Sequence, residues 1–127
     1  MNNPLLVQQA YVLLYEMENH LREVIAAQLK SHYGTYWEIY LDEKRPLYKA
    51  TLTDLVSYFG KYPSVLTQVD PSKRKELYKL EPIRLKIIRT QEITMDEYNL
   101  FNKEHSFVIS QTIKPVKQDR TFLNSPF

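Results

Sequence analysis

A chain of 127 residues, 43% hydrophobic and 25% charged, is long enough to bury a core and short enough to form one domain. Two glycines are too few for a hairpin-rich all-β fold, and the lack of cysteine excludes a disulfide framework, a thiolate nucleophile and a thiolate metal site. A net charge of +2 does not demand a nucleic-acid partner, so where the charges sit matters more than their sum. A cysteine-free chain suits a reducing cytoplasm. The start, MNNPLLVQQ, lacks the basic opening and small-residue cleavage site of a signal peptide. No apolar run approaches the ~18 residues of a membrane span. A cytoplasmic protein without a membrane role is the expectation.

In chain order, Asn3 and Pro4 read as the cap and first residue of a helix, because proline gives up an amide that would have no partner there. Nothing breaks this helix before Gly34, which predicts a C-terminal cap. Leu6, Ala10, Leu13, Met17, Leu21 and Val24 share one face, and Leu14, Ile25 and Leu29 widen it, as expected of a central helix in a bundle. Glu18 and Arg22 form an acid-first pair one turn apart. His20 and His32 lie too far apart on the helix to share a metal. TYWEIYL, Thr35 to Leu41, predicts a short second helix whose aromatics cover the end of the first. A charged turn follows at Asp42 to Pro46. A third helix is predicted from Thr51 or Thr53 through Gly60, and Tyr62-Pro63-Ser64 restarts a short helical turn carrying Val65 and Leu66.

Asp70-Pro71 opens a basic helix with a core stripe at Leu77, Leu80, Ile83 and Ile87. A second apolar stripe, Tyr78, Leu85 and Ile88, predicts a surface covered by a second copy of the chain. Pro82 is expected to kink or split the helix near Lys79 to Glu81. Thr94-Met95-Asp96-Glu97 is a capping box, opening a last helix with Tyr98, Phe101, His105 and Val108 or Ile109 on one face. The domain is expected to span residues 1–112. Residues 113–127 read as a tail, with Phe122, Leu123 and Phe127 as apolar anchors for docking.

No HExxH, glycine-rich phosphate loop or GxSxG elbow is present, and neither metal nor cofactor is expected. Glu16 and Glu18, two apart, point to different sides of their helix. What remains is a run of cations, Lys73, Arg74, Lys75, Lys79, Arg84, Lys86 and Arg89, opposed between Lys73 and Arg89 only by Glu76 and Glu81. With tyrosines nearby for stacking, these seven are the candidate nucleic-acid or anion contacts. A plain solvated helix face is the competing reading.

Two stretches resemble the HEPN superfamily, small helical bundles of RNA-cleaving toxins and defence systems. YEMENHLREVIAAQLKSHYGTYWEIYL resembles the long first helix of one branch, with Glu18, Leu21-Arg22, Ile25, Leu29, Tyr33-Gly34 and Trp37. LYKLEPIRLKIIRTQEIT resembles the segment in which an Arg, usually followed by Asn, precedes a His by four to six residues. Arg84 matches the Arg, Leu85 stands at the Asn and Arg89 at the His. The resemblance covers roughly residues 10 to 110 and implies an all-α HEPN-like bundle, homodimeric, with the site formed where two protomers meet. In the family, His moves a proton from the ribose 2′-hydroxyl and Arg stabilises charge on the phosphate. Arg89 cannot accept a proton at physiological pH, and Leu85 has no amide, so the pattern is broken at two of three positions. The candidate catalytic residues are therefore Arg84, Arg89 and, on the next helix, His105. The resemblance implies a non-catalytic domain that binds RNA or a partner protein, such as an antitoxin or defence-system protein, in a bacterial or phage conflict system. An active metal-independent ribonuclease and a helical scaffold subunit without a nucleic-acid role are the alternatives.

Overall fold

The computed structural model describes residues 4–112, and its architecture is set by one long helix, α1, at Pro4–Tyr33. Gly34 ends α1 as expected. It takes φ +88°, which a side chain would make costly, and its N–H donates to the Lys30 carbonyl at 2.8 Å. The expected N-cap, Asn3, lies outside the described residues. Four shorter α-helices follow: α2 (Leu52–Lys61), α3 (Pro71–Tyr78), α4 (Glu81–Ile88) and α5 (Met95–Gln111). Helices α2, α4 and α5 pack on α1, and α3 packs on α2. Among the described residues there is no strand, and the fold is an all-α bundle.

The core is what the periodicities dictate. Leu14, Met17, Leu21, Ile25 and Leu29 of α1 meet Tyr58 and Phe59 of α2, the Leu77–Leu80–Ile83–Ile87 stripe, and Phe101 and Val108 of α5. Full burial of each Leu or Phe contributes roughly 2 kcal/mol. On α5 the choice falls on Val108, which is buried, while Ile109 is exposed.

Capping chemistry sets the helix starts. Asp70 Oδ1 accepts the Lys73 N–H at 2.8 Å. At α5 the Thr94 N–H donates to Glu97 Oε1 at 2.8 Å, and the Glu97 N–H donates back to Thr94 Oγ1 at 3.0 Å. Thr51, rather than Thr53, caps α2, in a second capping box with Asp54. Pro82 falls in the first turn of α4, where its missing amide costs little. The Lys79 and Leu80 amides turn back to Glu76 and Leu77 at 3.1 Å each, so the basic segment is split into α3 and α4. Helix α4 ends on Thr90 at φ +53°, with the Gln91 N–H reaching the Lys86 carbonyl at 2.8 Å. A β-branched residue in this left-handed position carries strain of about 1 kcal/mol.

One expected element differs. Thr35 to Leu41 does not form an α-helix but one 3-10 turn, Trp37–Tyr40, with no buried residue. No side chain caps it, and so short a segment cannot recover the cost of helix nucleation. The cover it gives is partial: Tyr40 stacks on Tyr33 with ring centroids 4.5 Å apart, while Tyr36 and Ile39 face solvent. Tyr62-Pro63-Ser64 makes the short helical turn expected of it, with the Val65 and Leu66 amides both donating to the Tyr62 carbonyl. The tail at 113–127, with Phe122, Leu123 and Phe127, lies outside the described residues.

Candidate anion-binding cleft

Glu18 and Arg22 serve the start of α2. Glu18 Oε2 accepts the Leu52 N–H at 3.0 Å, a first-turn amide that no intrahelical carbonyl can satisfy. Arg22 Nη2 donates to the Ala50 carbonyl at 2.8 Å and Nη1 to Asn19 Oδ1 at 3.0 Å. The two side chains pair at 3.5 Å, and Arg22 Nε is buried without a hydrogen-bond partner among the described residues. From α4, Arg84 joins them. It stands four residues after Leu80 and three before Ile87, which places it on the core stripe, and it is buried. Its Nε and Nη2 donate to Glu81 Oε1 and Oε2, each at 2.8 Å, in the bidentate geometry that favours Arg over Lys. Thr53 Oγ1 donates to the same carboxylate, tying α2 to α4. The Arg84 guanidinium holds Glu81 below the usual carboxylate range.

Glu18, Arg22 and Arg84 form the floor of a cavity of about 210 Å³ between α1, α4 and the start of α2. Tyr11 and Tyr15 stand on its rim one turn apart, 55% and 60% exposed, with Lys49 and Ile88 also lining it. Three cations, Arg22, Lys49 and Arg84, line the cleft with one carboxylate, Glu18, and Glu81 behind Arg84 offsets one of them, so a single positive charge is left to attract anions. A second cavity, of about 140 Å³ beside Tyr58, is lined by Lys44, Arg45 and Lys61 with Glu43 and Asp54, and its Arg45 and Lys61 are paired with Asp54 and Glu43 at 3.1 Å.

Burial pushes the Glu18 carboxyl up, with Arg22 and Arg84 pulling the other way. A carboxyl raised in the folded state binds protons more tightly there than in the unfolded chain. Its contribution to stability therefore falls as pH rises from the usual carboxylate range to its folded value. The stability of wild type minus that of Glu18→Gln is expected to decrease as pH rises above the ordinary carboxylate range, as read by urea melts. A flat difference would refute the burial argument.

The basic run is largely consumed by the fold. Lys73 Nζ lies 2.6 Å from Glu104 Oε1 and 3.1 Å from Glu76 Oε1, and 4.4 Å over the Phe107 ring. Arg74 Nη1 donates to the Val69 and Phe59 carbonyls at 3.1 and 3.4 Å, closing α3 onto α2. Gly60 makes room for it: a Cβ there would meet Arg74 Nε at 3.2 Å. Lys86 pairs with Glu97 at 2.8 Å. Of the seven expected contacts, Lys75, Lys79 and Arg89 are the ones in solvent.

The three catalytic candidates do not converge within the protomer. Arg89 is exposed, and five residues place it about 140° round the helix from buried Arg84. His105 Nε2 bonds Glu16 Oε1 at 2.8 Å. Glu16 and Glu18 point about 160° apart on α1, so His105 lies away from the cleft. Of the second apolar stripe, Tyr78 is 38% and Ile88 48% exposed, and Leu85 is half-buried. Among the described residues no group of three His, Cys, Asp or Glu is placed to hold a metal ion, and no helix is long and apolar enough to cross a membrane.

Tyr11, Tyr15, Arg22 and Lys49 were not legible as site residues. The available signal was a tyrosine pair at i, i+4 along the edge of the core stripe of α1, leading into the Glu18–Arg22 pair. No family model matches this chain, and neither a curated protein nor a solved structure matches it.

Proposed function

We propose that the chain is a non-catalytic, HEPN-like domain that works by binding, with RNA or a partner protein of a bacterial or phage defence or toxin–antitoxin system as its target. The observation that carries this reading is the commitment of Arg84: two of its nitrogens are held by Glu81 of the same chain. Next to it stands Leu85, with no amide to orient a partner. Glu18, the carboxyl nearest in the cleft, already accepts the Leu52 amide and pairs with Arg22. No group there is poised to take a proton from a ribose hydroxyl, which argues against the ribonuclease alternative. The cationic excess of the cleft and exposed Lys75, Lys79 and Arg89 favour an anionic target over a purely structural scaffold role. Tyr78 and Ile88, both exposed on the α3–α4 segment, favour a homodimer through that segment.

Purified wild-type protein is expected to retain labelled RNA in a salt-sensitive complex and to leave it intact. Arg89→Ala is expected to weaken that complex by about fivefold at low salt, and by less as salt is raised. Metal-independent cleavage by wild type, lost in a folded Arg84→Ala variant, would overturn the non-catalytic reading.

A further inference from the structure

The cleft has a feature that the Glu18–Arg22 and Arg84–Glu81 pairs do not require for their structural work. Two tyrosine rings, Tyr11 and Tyr15, stand more than half exposed on its rim, in line along α1. From Pro4 to Tyr15 helix α1 carries no charged residue, so Glu18 is the one carboxylate that α1 brings to the cleft. We propose that this cleft binds a nucleoside monophosphate group, its phosphate on the cationic floor and its base against Tyr11 and Tyr15. The inference rests on the anion-binding reading above and gives that reading a place and a ligand class.

Each part has a physical ground. The bidentate pair uses Arg84 Nε and Nη2 and leaves Nη1 outside it. Lys49, exposed on the rim with its ammonium 5.9 Å over the Tyr48 ring, adds a point charge of the kind phosphates recruit. About 210 Å³ accommodates a phosphate and much of a ribose, leaving the base at the rim where the rings are. An acidic side chain would use the same cations and leave both rings idle. A stacked base uses them, and stacking on one aromatic contributes roughly 1–3 kcal/mol. The same group occurs as a free mononucleotide and at the 5′ end of an RNA strand.

The test is calorimetric titration of the purified chain with AMP, UMP, adenosine, and a short RNA bearing either a 5′-phosphate or a 5′-hydroxyl. AMP is expected to bind with Kd below about 1 mM, and adenosine about tenfold more weakly. Tyr15→Ala and Lys49→Glu are expected each to weaken AMP by about fivefold or more. Both positions are exposed, so the fold survives, and Lys30→Glu on the far part of α1 serves as the control that leaves AMP unchanged. Preference for 5′-phosphorylated over 5′-hydroxyl RNA, lost in Tyr15→Ala, identifies the strand end as the source. Equal binding of the two RNAs, with AMP retained, assigns the cleft to free mononucleotides. RNA binding that Tyr15→Ala and Lys49→Glu leave intact, with no AMP binding, overturns the cleft and leaves the RNA reading standing. AMP binding without RNA binding keeps the cleft and removes RNA from the reading. A glutamate-rich peptide that binds where AMP does not would overturn the nucleotide.

Discussion

Lys73→Ala is expected to cost the fold about 3 kcal/mol, far more than an exposed lysine on a basic face could. Glu104 is 1% exposed, and Lys73 is the cation placed against it. Removing Lys73 leaves a carboxylate in the core with nothing to neutralise it and strips the cation from the Phe107 ring. Burial works against the Lys73 ammonium, yet Glu104 and Glu76 together hold its pKa above the ordinary value, so it stays charged. Urea denaturation compares the variants. Lys73→Met/Glu104→Leu, which replaces the pair with apolar groups, is expected to recover most of the loss. A single variant within about 0.5 kcal/mol of wild type would mean that Lys73 belongs to a solvated face after all.

The second large effect is expected at Glu81. Glu81→Ala leaves Arg84 buried without its carboxylate and Thr53 without its acceptor. About 2 kcal/mol is the expected loss, less than for a wholly enclosed pair because Glu81 keeps a third of its side chain in solvent. Arg84→Ala introduced into Glu81→Ala is expected to cost much less than Arg84→Ala alone, and a double-mutant cycle reads that coupling. Additive losses would show that the two side chains stabilise the bundle independently. Acid acts on the same pair. The Glu81 carboxyl, held low by Arg84, contributes stability above its unfolded pKa and loses it as pH falls through its folded value.

What was legible in the sequence is what a residue does to its own backbone. Gly34, Asp70-Pro71, Pro82 and Thr94 through Glu97 each act within a turn of themselves, and each marks the boundary expected of it. Thr51-Leu52-Thr53-Asp54 carries the same kind of signal for α2, and its capping box decides between the two threonines. The fate of the cations was not local. Whether Lys73, Arg74 or Lys86 faces water depends on Glu104, Phe59, Val69 and Glu97, which reach them from other elements once the bundle has formed. Arg84 is intermediate: its spacing from Leu80 and Ile87 and the preceding Glu81 were visible, and its charge argued for the surface. TYWEIYL misled for the opposite reason, since its aromatic density suggested burial while nothing packs over Tyr36 and Ile39. The candidate cleft needed three helices to be seen at all.

The split at Pro82 has a consequence for how the bundle breathes. Of the eight residues of α3, only Leu77 is buried. The hydrogen-bond ladder does not run on from α3 into α4, because the Lys79 and Leu80 amides turn back after three residues. Helix α3 can thus lift away while α4 stays seated on α1. Such an opening hydrates Lys73 and Glu104 together, so it avoids the stranded charge that a single substitution creates. Its free-energy cost is a fraction of that for melting α1, and it bares Phe59 and Phe107 without unfolding the rest. The amides of residues 72–78 are accordingly expected to trade hydrogen with solvent before those of α1, as one cooperative unit hinged at Lys79 and Leu80.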